Sequence, residues 1–230
     1  MSPLYVYALV AAAPPPEALG AGLAGEPIRV VPCEGVLAAV GEMEGPPELA
    51  APALRAHDAT VRRIAAATTA LLPARFGSMA RDDEELREAL RPRATALRDA
   101  LEMVRGCEQM TLRFAAAEGA DPAVLAPRGA LPEVGGPGTR YLASRRAEEE
   151  PRAIPEIARV LEAAAPLVRG QRLETHHRPP LLASAYHLVA RGDLEPYRGR
   201  VAAAAAGEPR LRVLVSGPWP AYAFGPRELA

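Results

Sequence analysis

Hydrophobic residues form three strand-like runs near the start of the chain. Leu4 to Val10 is rich in β-branched and aromatic residues, and two further runs, Ile28 to Val31 and Val36 to Val40, are separated by Gly35. Runs of this kind, bounded by glycine, are typical of β-strands joined by tight turns. The pattern predicts a strand, a loop and then a β-hairpin.

From Glu48 the apolar residues follow helical spacing. Leu54, Val61, Ile64 and Leu71 lie about one or two turns apart, with charged residues on the other face. The spacing predicts a helix that ends before Pro73.

A second helix is predicted from Asp82 to about Val104. The Asp82 carboxylate is placed to cap free backbone amides, and Glu85 follows three residues later, as in a capping box. Pro92 predicts a break or kink within this helix. Gln109 to Ala115 then alternates like a strand, and we expect it to return to the first sheet.

The second half of the chain opens with a segment rich in proline and glycine. Residues 119–138 contain four prolines and five glycines, which favours a linker or loop. After it, the pattern predicts a long helical stretch, two strands, a helix and a last strand, at 139–167, 172–177, 182–189, 194–206 and 211–216.

These elements predict an α+β protein of two domains. Residues 1–118 suit a ferredoxin-like domain, a small antiparallel sheet with helices on one face. Residues 139–230 suit a helical arm followed by a second α+β domain, and we place the boundary in the segment 119–138.

Composition and charge indicate which partners and which cell compartment to expect. The formal net charge is -1, from 27 basic and 28 acidic residues mixed along the chain, which argues against nucleic acid as a partner. The first residues lack the features of a secretory signal, and no apolar run reaches the length of a membrane span. We therefore expect a cytoplasmic protein without membrane insertion, in which Cys33 and Cys107 are free, buried thiols.

A search for chemistry yields no convincing catalytic or metal site. His176 and His177 are adjacent, so a strand would point them to opposite faces. Ser184 and His187 lie three residues apart, without a glycine elbow or an indicated acidic partner. The acidic run from Asp82 to Glu85 suits a helix start better than a cation site. We predict no enzyme activity, no cofactor and no metal, and keep a hydrolase using Ser184 and His187 only as an alternative.

Two segments stand out as candidates for interaction or for a fold signature. In the turn from Leu71 to Gly77, a proline is followed by Arg75, Phe76 and a glycine. The favoured interpretation is structural: Phe76 fills the core and Arg75 satisfies carbonyls or a carboxylate near the helix end. The alternative is a contact surface.

The second segment is the tail from Gly217 to Phe224. It gathers Trp219, the only tryptophan, with Tyr222 and Phe224 among prolines. Such a tail anchors either the chain itself or a partner. We favour an internal anchor, with Trp219 on the second domain, because this would pin a segment that otherwise frays.

Taken in order along the chain, five segments resemble the GvpL/GvpF family of gas vesicle proteins. They are Leu4-Tyr5-Val6-Tyr7, His57, Leu72-Pro73-Ala74-Arg75-Phe76-Gly77, Tyr141-Leu142 and Gly217-Pro218-Trp219-Pro220-Ala221-Tyr222-Ala223-Phe224. The chain departs from the family pattern at Ala221, where a proline is usual, and at Ala74, where valine is common.

The resemblance implies a non-enzymatic accessory or minor structural protein of gas vesicle assembly. Its implied partners are the small hydrophobic shell protein and other vesicle proteins, and its implied location is the gas vesicle. It also implies two α+β domains, in agreement with the residue pattern. An alternative is a repurposed scaffold or regulatory module that serves a different assembly, and the oligomeric state stays open.

Overall fold

The computed structural model describes residues 2–118, 154–176 and 180–225. It divides into two compact units, the first formed by Met1–Glu108 with Trp219–Ala230 and the second by Gln109–Pro218. The second unit is therefore inserted into the sequence of the first. The predicted linker at 119–138 and the start of the predicted helical arm, as far as residue 153, lie outside the described residues.

The first unit combines short strands with four helices in the part that is described. In chain order these elements are β1 (Leu4–Val10), α1 (Pro16–Leu19), β2 (Ile28–Cys33), β3 (Val36–Glu42), α2 (Ala51–Ala66), β4 (Leu71–Pro73), β5 (Met79–Ala80), α3 (Asp83–Leu90) and α4 (Ala94–Val104). The sheet has the order β2-β3-β1-β4, and β5 also pairs with β1. Every pairing is antiparallel.

The centre of this sheet is β1, whose seven residues are all buried. One core cluster joins the sheet to α2, and its buried members are Tyr5, Tyr7, Ala8, Val10, Ile28, Ala39, Val61, Ile64 and Leu71. The α2 residues in this list recur at helical spacing, so the amphipathic pattern that predicts the helix also supplies its buried face.

The second unit repeats the strand order of the first. Its elements are β6 (Cys107–Ala116), α5 (Pro155–Ala164), β7 (Val168–Thr175), β8 (Leu181–Ala190), α6 (Leu194–Ala206) and β9 (Leu211–Trp219). Its sheet has the order β7-β8-β6-β9. In each unit the third strand therefore separates the first two, which is the split βαβ arrangement of a ferredoxin-like fold.

The α+β prediction is confirmed, but two elements differ from expectation. The helical spacing predicts Leu71 in a helix, whereas α2 ends at Ala66 and Leu71 pairs with Val10 of β1. The Thr68 hydroxyl bonds the Ile64 carbonyl at 3.1 Å where the helix ends. The chain then turns and adds a three-residue strand, which is too short to show a period of its own.

The strand predicted at 109–115 is present as β6, but it does not return to the first sheet. In that sheet the free side of β1 is occupied by β4 and β5. Instead β6 lies between β8 and β9 and contributes Met110, Leu112 and Phe114 to the second core. Without this strand the second unit would lack the centre of its sheet.

Asp82 acts as the predicted helix cap. Its carboxylate accepts hydrogen bonds from the amides of Glu84 at 3.0 Å and Glu85 at 2.8 Å. A short 3₁₀ segment, Arg91–Arg93, separates α3 from α4 at the position of Pro92. Both features follow from local chemistry, since an acidic cap satisfies free amides and proline interrupts helical hydrogen bonding.

Candidate interaction surface

The aromatic tail packs within the first unit, against α2. The guanidinium of Arg62 lies over the Trp219 ring, 4.3 Å from its centroid. The Tyr222 hydroxyl donates to Asp58 at 3.0 Å, and Asp58 in turn pairs with Arg62 at 2.6 Å. The tail was expected to place Trp219 on the second domain, but its contact is with the first.

Residues one helical turn apart on α2 create this binding site for the tail. Asp58 and Arg62 have the i,i+4 spacing that places two side chains on one helix face. The same spacing adds Leu54, which is 42% exposed. A cation over an indole ring and a charge-assisted hydrogen bond each hold the tail in a defined position.

The last turn of the described tail mixes a buried and an exposed ring. Phe224 is buried, whereas Tyr222 is 41% exposed. Partial burial raises the pKa of Tyr222, and the Asp58 carboxylate adds to this effect because it disfavours a second negative charge. Tyr222 is therefore neutral and able to donate its proton at ordinary pH.

The first unit also contains a cluster of aromatic rings. The Tyr5 and Tyr7 ring centroids are 4.8 Å apart, and His57 of α2 stacks on Tyr7 at 5.7 Å. Phe76 meets His57 edge to face at 5.7 Å and Tyr5 at 6.4 Å. Edge-to-face pairs of this kind are the favoured aromatic geometry, so the cluster links β1, α2 and the turn that contains Phe76.

Hydrogen bonds fix the orientation of this cluster. The Tyr5 hydroxyl lies 2.9 Å from His57 Nδ1 and accepts the amide proton of Gly77 at 3.2 Å. Burial lowers the pKa of His57, so its imidazole is neutral at pH 7. The Tyr5 hydroxyl and His57 Nδ1 therefore share one hydrogen bond, whose donor is set by the tautomer of the neutral ring.

The turn from Ala74 to Ser78 is held at both ends by β1. The Ala74 amide donates to the Tyr7 carbonyl, and the Val6 amide donates to the Ser78 carbonyl, both at 2.9 Å. Between these anchors Gly77 has a φ of +85°, a backbone conformation that L side chains rarely adopt. Backbone hydrogen bonds to β1 therefore fix both ends of the turn.

Arg75 and Phe76, at the tip of this turn, differ in their contacts. Phe76 packs on the aromatic cluster but stays partly exposed, while Arg75 is exposed. The Arg75 side chain makes no hydrogen bond or ion pair with any residue in the described ranges. The predicted structural role thus fits Phe76, whereas Arg75 does not satisfy the carbonyls or carboxylate expected near the helix end.

These features form one surface of the first unit, which we call the aromatic surface: Leu54, Arg75, Phe76, Trp219 and Tyr222. The turn Tyr222–Phe224 contacts β4, the strand that leads into Arg75 and Phe76. Sequence patterns indicated the last four residues. The contribution of α2 was missed, although the Asp58 and Arg62 spacing was a visible signal.

The second unit separates the two residues considered for hydrolase chemistry. Ser184 and His187 are three positions apart on β8, so strand alternation places them on opposite faces. The hydroxyl of Ser184 lies 2.9 Å from His176 Nε2, while His187 Nδ1 lies 2.8 Å from the Tyr197 hydroxyl. The pair therefore lacks the geometry of a nucleophile and its base.

His187 and Tyr197 form a sealed polar pair in the second core. Both side chains are fully buried. Burial lowers the pKa of His187 to about 4, which keeps the ring neutral at pH 7. The pair resembles Tyr5 and His57 in chemistry. In the described part of the second unit, however, no partly exposed ring packs on it as Phe76 packs on His57.

Two further features bear on metal and membrane binding. Within residues 2–118, 154–176 and 180–225, no group of three potential metal ligands comes together. Among the described helices, none has both the length and the apolar character needed to cross a bilayer. His177 lies outside the described residues.

Comparisons with known proteins agree with the sequence resemblance. The family model described as "Gas vesicle synthesis protein GvpL/GvpF" matches residues 3–226. Comparison with curated protein sequences gives no match.

Two crystal structures share the fold. One is the gas vesicle protein GvpF from Anabaena sp. PCC7120, with a TM-score of 0.76 and 17% sequence identity over 98% of this chain and 97% of that chain. The other is GvpF from Microcystis aeruginosa, with a TM-score of 0.73 and 16% identity over 97% of this chain and 99% of that chain. At these identities the likeness establishes the fold.

Proposed function

Because this chain belongs to the GvpL/GvpF family of gas vesicle synthesis proteins, we propose that it is an accessory or minor structural protein of gas vesicle assembly. In this role it works in the cytoplasm, at the gas vesicle, and binds the small hydrophobic shell protein together with other vesicle proteins. Its action is binding and nucleation, without catalysis.

The observation that supports this proposal best is the combination of Arg75 and Phe76 at the tip of a fixed turn. Arg75 is exposed and Phe76 is partly exposed, while hydrogen bonds to β1 hold the backbone on either side. Arginine and aromatic residues are enriched among the residues that contribute most to protein interfaces. A preorganised turn also loses little conformational entropy on binding.

The other members of the aromatic surface extend this contact area. Leu54 and Tyr222 are 42% and 41% exposed, and Trp219 is partly exposed beside them. Exposed apolar side chains close to polar groups are typical of interaction sites. Such a surface is suited to cover an aggregation-prone shell protein until that protein joins the growing wall.

A pull-down with purified shell protein tests the proposal. We expect Arg75→Glu and Phe76→Ala each to weaken shell-protein capture by about tenfold, the effect of a loss of about 1.4 kcal/mol at an interface. Arg200→Glu makes the same charge change at an exposed position of α6, and Met103→Ala truncates an exposed side chain of α4. These two controls should bind like the unaltered chain.

A deletion strain tests the function in the cell. We expect fewer or misshapen vesicles when the gene is deleted, with rescue by the unaltered gene and poor rescue by the Phe76→Ala variant. Normal vesicle number and shape in the deletion strain, together with no capture of shell protein, would rule the proposal out.

A further inference from the structure

The last strand of the second unit, β9, lies at one end of its sheet. In the order β7-β8-β6-β9 one side of β9 pairs with β6. No strand in the part of the chain that the structure describes pairs with its other side. The backbone amides and carbonyls of such an edge can bind another extended chain.

Two neighbouring apolar side chains of β9 are exposed. Leu214 is 46% exposed and Val215 is 40% exposed. Because successive side chains of a strand point to opposite faces, these two residues offer apolar contacts on both faces of the edge. Natural edge strands are often kept short or blocked by charges. At Leu214 and Val215, β9 instead exposes two apolar side chains.

The exposed charges at the start of this edge are positive, because the neighbouring Glu208 is buried and paired with Arg159. Between Pro209 and Gly225 the only charged residues are Arg210 and Arg212, and both are exposed. Neither lies within ion-pair distance of a described carboxylate, but Arg210 adds to the effect of Arg159 in lowering the pKa of Glu208. Arg113, on the neighbouring strand β6, is exposed as well.

We propose that the free edge of β9 accepts an extended segment of a partner protein as an added strand, and that this segment has alternating apolar residues flanked by carboxylates. Backbone hydrogen bonds supply affinity in this mode of recognition, and side chains supply specificity. Leu214 and Val215 contact the apolar residues, and Arg210 and Arg212 pair with the carboxylates. The four residues invoked here do not belong to the aromatic surface, and the proposal does not depend on binding of the shell protein.

The direction of the backbone groups identifies a variant that removes an outward hydrogen-bond donor of β9 and keeps the hydrogen bonds between β9 and β6. The Ala117 amide donates to the Arg210 carbonyl at 2.9 Å, so Arg210 directs its backbone groups inward. In an antiparallel strand this direction alternates, which places the amide of Val215 on the free side. Val215→Pro therefore deletes an outward donor and leaves the inner hydrogen bonds in place.

Titration of the full chain with a synthetic peptide tests the proposal. The peptide has seven alternating valine and threonine residues with two aspartates at each end, and binding is followed by calorimetry and backbone amide NMR shifts. We expect saturable binding, with shifts centred on residues 211–216. Val215→Pro should weaken this binding by about tenfold, and Arg212→Glu by about fivefold.

Controls separate backbone addition from attraction of charge. A peptide with proline at its centre should not bind, and a peptide with lysines in place of aspartates should bind more weakly. Arg169→Glu, an exposed charge reversal on β7 at the opposite edge of the sheet, should bind like the unaltered chain. Circular dichroism of Val215→Pro should show that the fold is retained.

Three results would overturn the proposal. The first is the absence of saturable binding, which would mean that the arginines only protect the edge. The second is equal binding of the aspartate and lysine peptides. The third is self-association of the full chain that Val215→Pro abolishes, which would identify a second copy of the chain as the occupant of the edge.

Discussion

The two units share a strand order but differ in how their buried Tyr–His pairs are enclosed. In the first, Tyr5 and His57 lie beneath the partly exposed Phe76 and close to the aromatic tail. In the second, His187 and Tyr197 are both fully buried, and Tyr197 belongs to the second core cluster. The same fold thus carries a surface of aromatic and cationic side chains in one unit and a closed core in the other.

This difference follows from what is added to each sheet. The first unit gains the turn around Arg75 and Phe76, held by β1, and a tail segment supplied by residues that follow the second unit in sequence. In its described part, the second unit consists of the six elements of the βαββαβ order and short 3₁₀ turns. Interaction residues are therefore expected on the additions, and stability determinants on the shared framework.

The largest expected effect is on the closed core of the second unit. Phe114→Ala removes a fully buried ring from β6, one of the two central strands of its sheet. Loss of such a ring and the cavity it leaves should lower the free energy of unfolding by about 3 to 5 kcal/mol. Chemical denaturation measures this loss. A loss below about 1 kcal/mol would show that the second core is not well packed around this ring.

The next effect is a dependence of stability on pH. The folded pKa of His187 is about 4, below its ordinary value of 6.5. Between these values the unfolded chain binds a proton that the folded chain does not bind, so stability is complete above pH 6.5 and falls as the pH is lowered. The expected loss from His187 is about 3 kcal/mol at pH 4.

Unfolding curves at pH 7 and pH 4 measure this dependence, and a double variant isolates the contribution of His187. Replacing both partners by apolar groups, as in His187→Leu with Tyr197→Phe, avoids an unpaired buried group. The double variant should lose less stability between the two pH values than the unaltered chain. The same pH dependence in both proteins would mean that His187 titrates normally.

A smaller effect is expected at the tail. Trp219→Ala removes the ring beneath Arg62 and should lower the free energy of unfolding by about 1 to 2 kcal/mol. Thermal unfolding and shell-protein capture are measured on the same sample. If capture falls while the thermal midpoint is unchanged, Trp219 belongs to the interface and does not anchor the tail.

The smallest effect on stability is expected at Arg75. Its side chain is exposed and has no described partner, so Arg75→Ala should change the free energy of unfolding by less than about 0.5 kcal/mol. Chemical denaturation checks this value. A clearly larger loss would indicate a structural role for Arg75 and remove the main support for a contact role.

Most local structure could be predicted from the sequence because it depends on neighbouring residues. The helix expected at 194–206 has the observed bounds, and Asp82 caps the helix it precedes. Ser184 and His187 could also have been assigned to opposite faces, since three positions along a strand reverse the side-chain direction. These features need only periodicity and capping chemistry.

The features that could not be predicted depend on distant pairs. Alternation identifies β6 as a strand but does not specify its neighbours, which are β8 and β9. The tail likewise carries no local signal for its partner, because Tyr222 and Asp58 are 164 positions apart in sequence. The family resemblance marked the tail as a signature of the fold, but it did not predict that the tail contacts α2.

The insertion of the second unit into the sequence of the first has a consequence for synthesis. A ribosome completes residues 1–108 early, yet the tail residues that belong to the same unit emerge only after residue 218. Until then the first unit lacks the Trp219 and Tyr222 contacts on α2. Since domains generally fold as units during synthesis, the aromatic surface is completed late, and a chain truncated before the tail cannot present all of it.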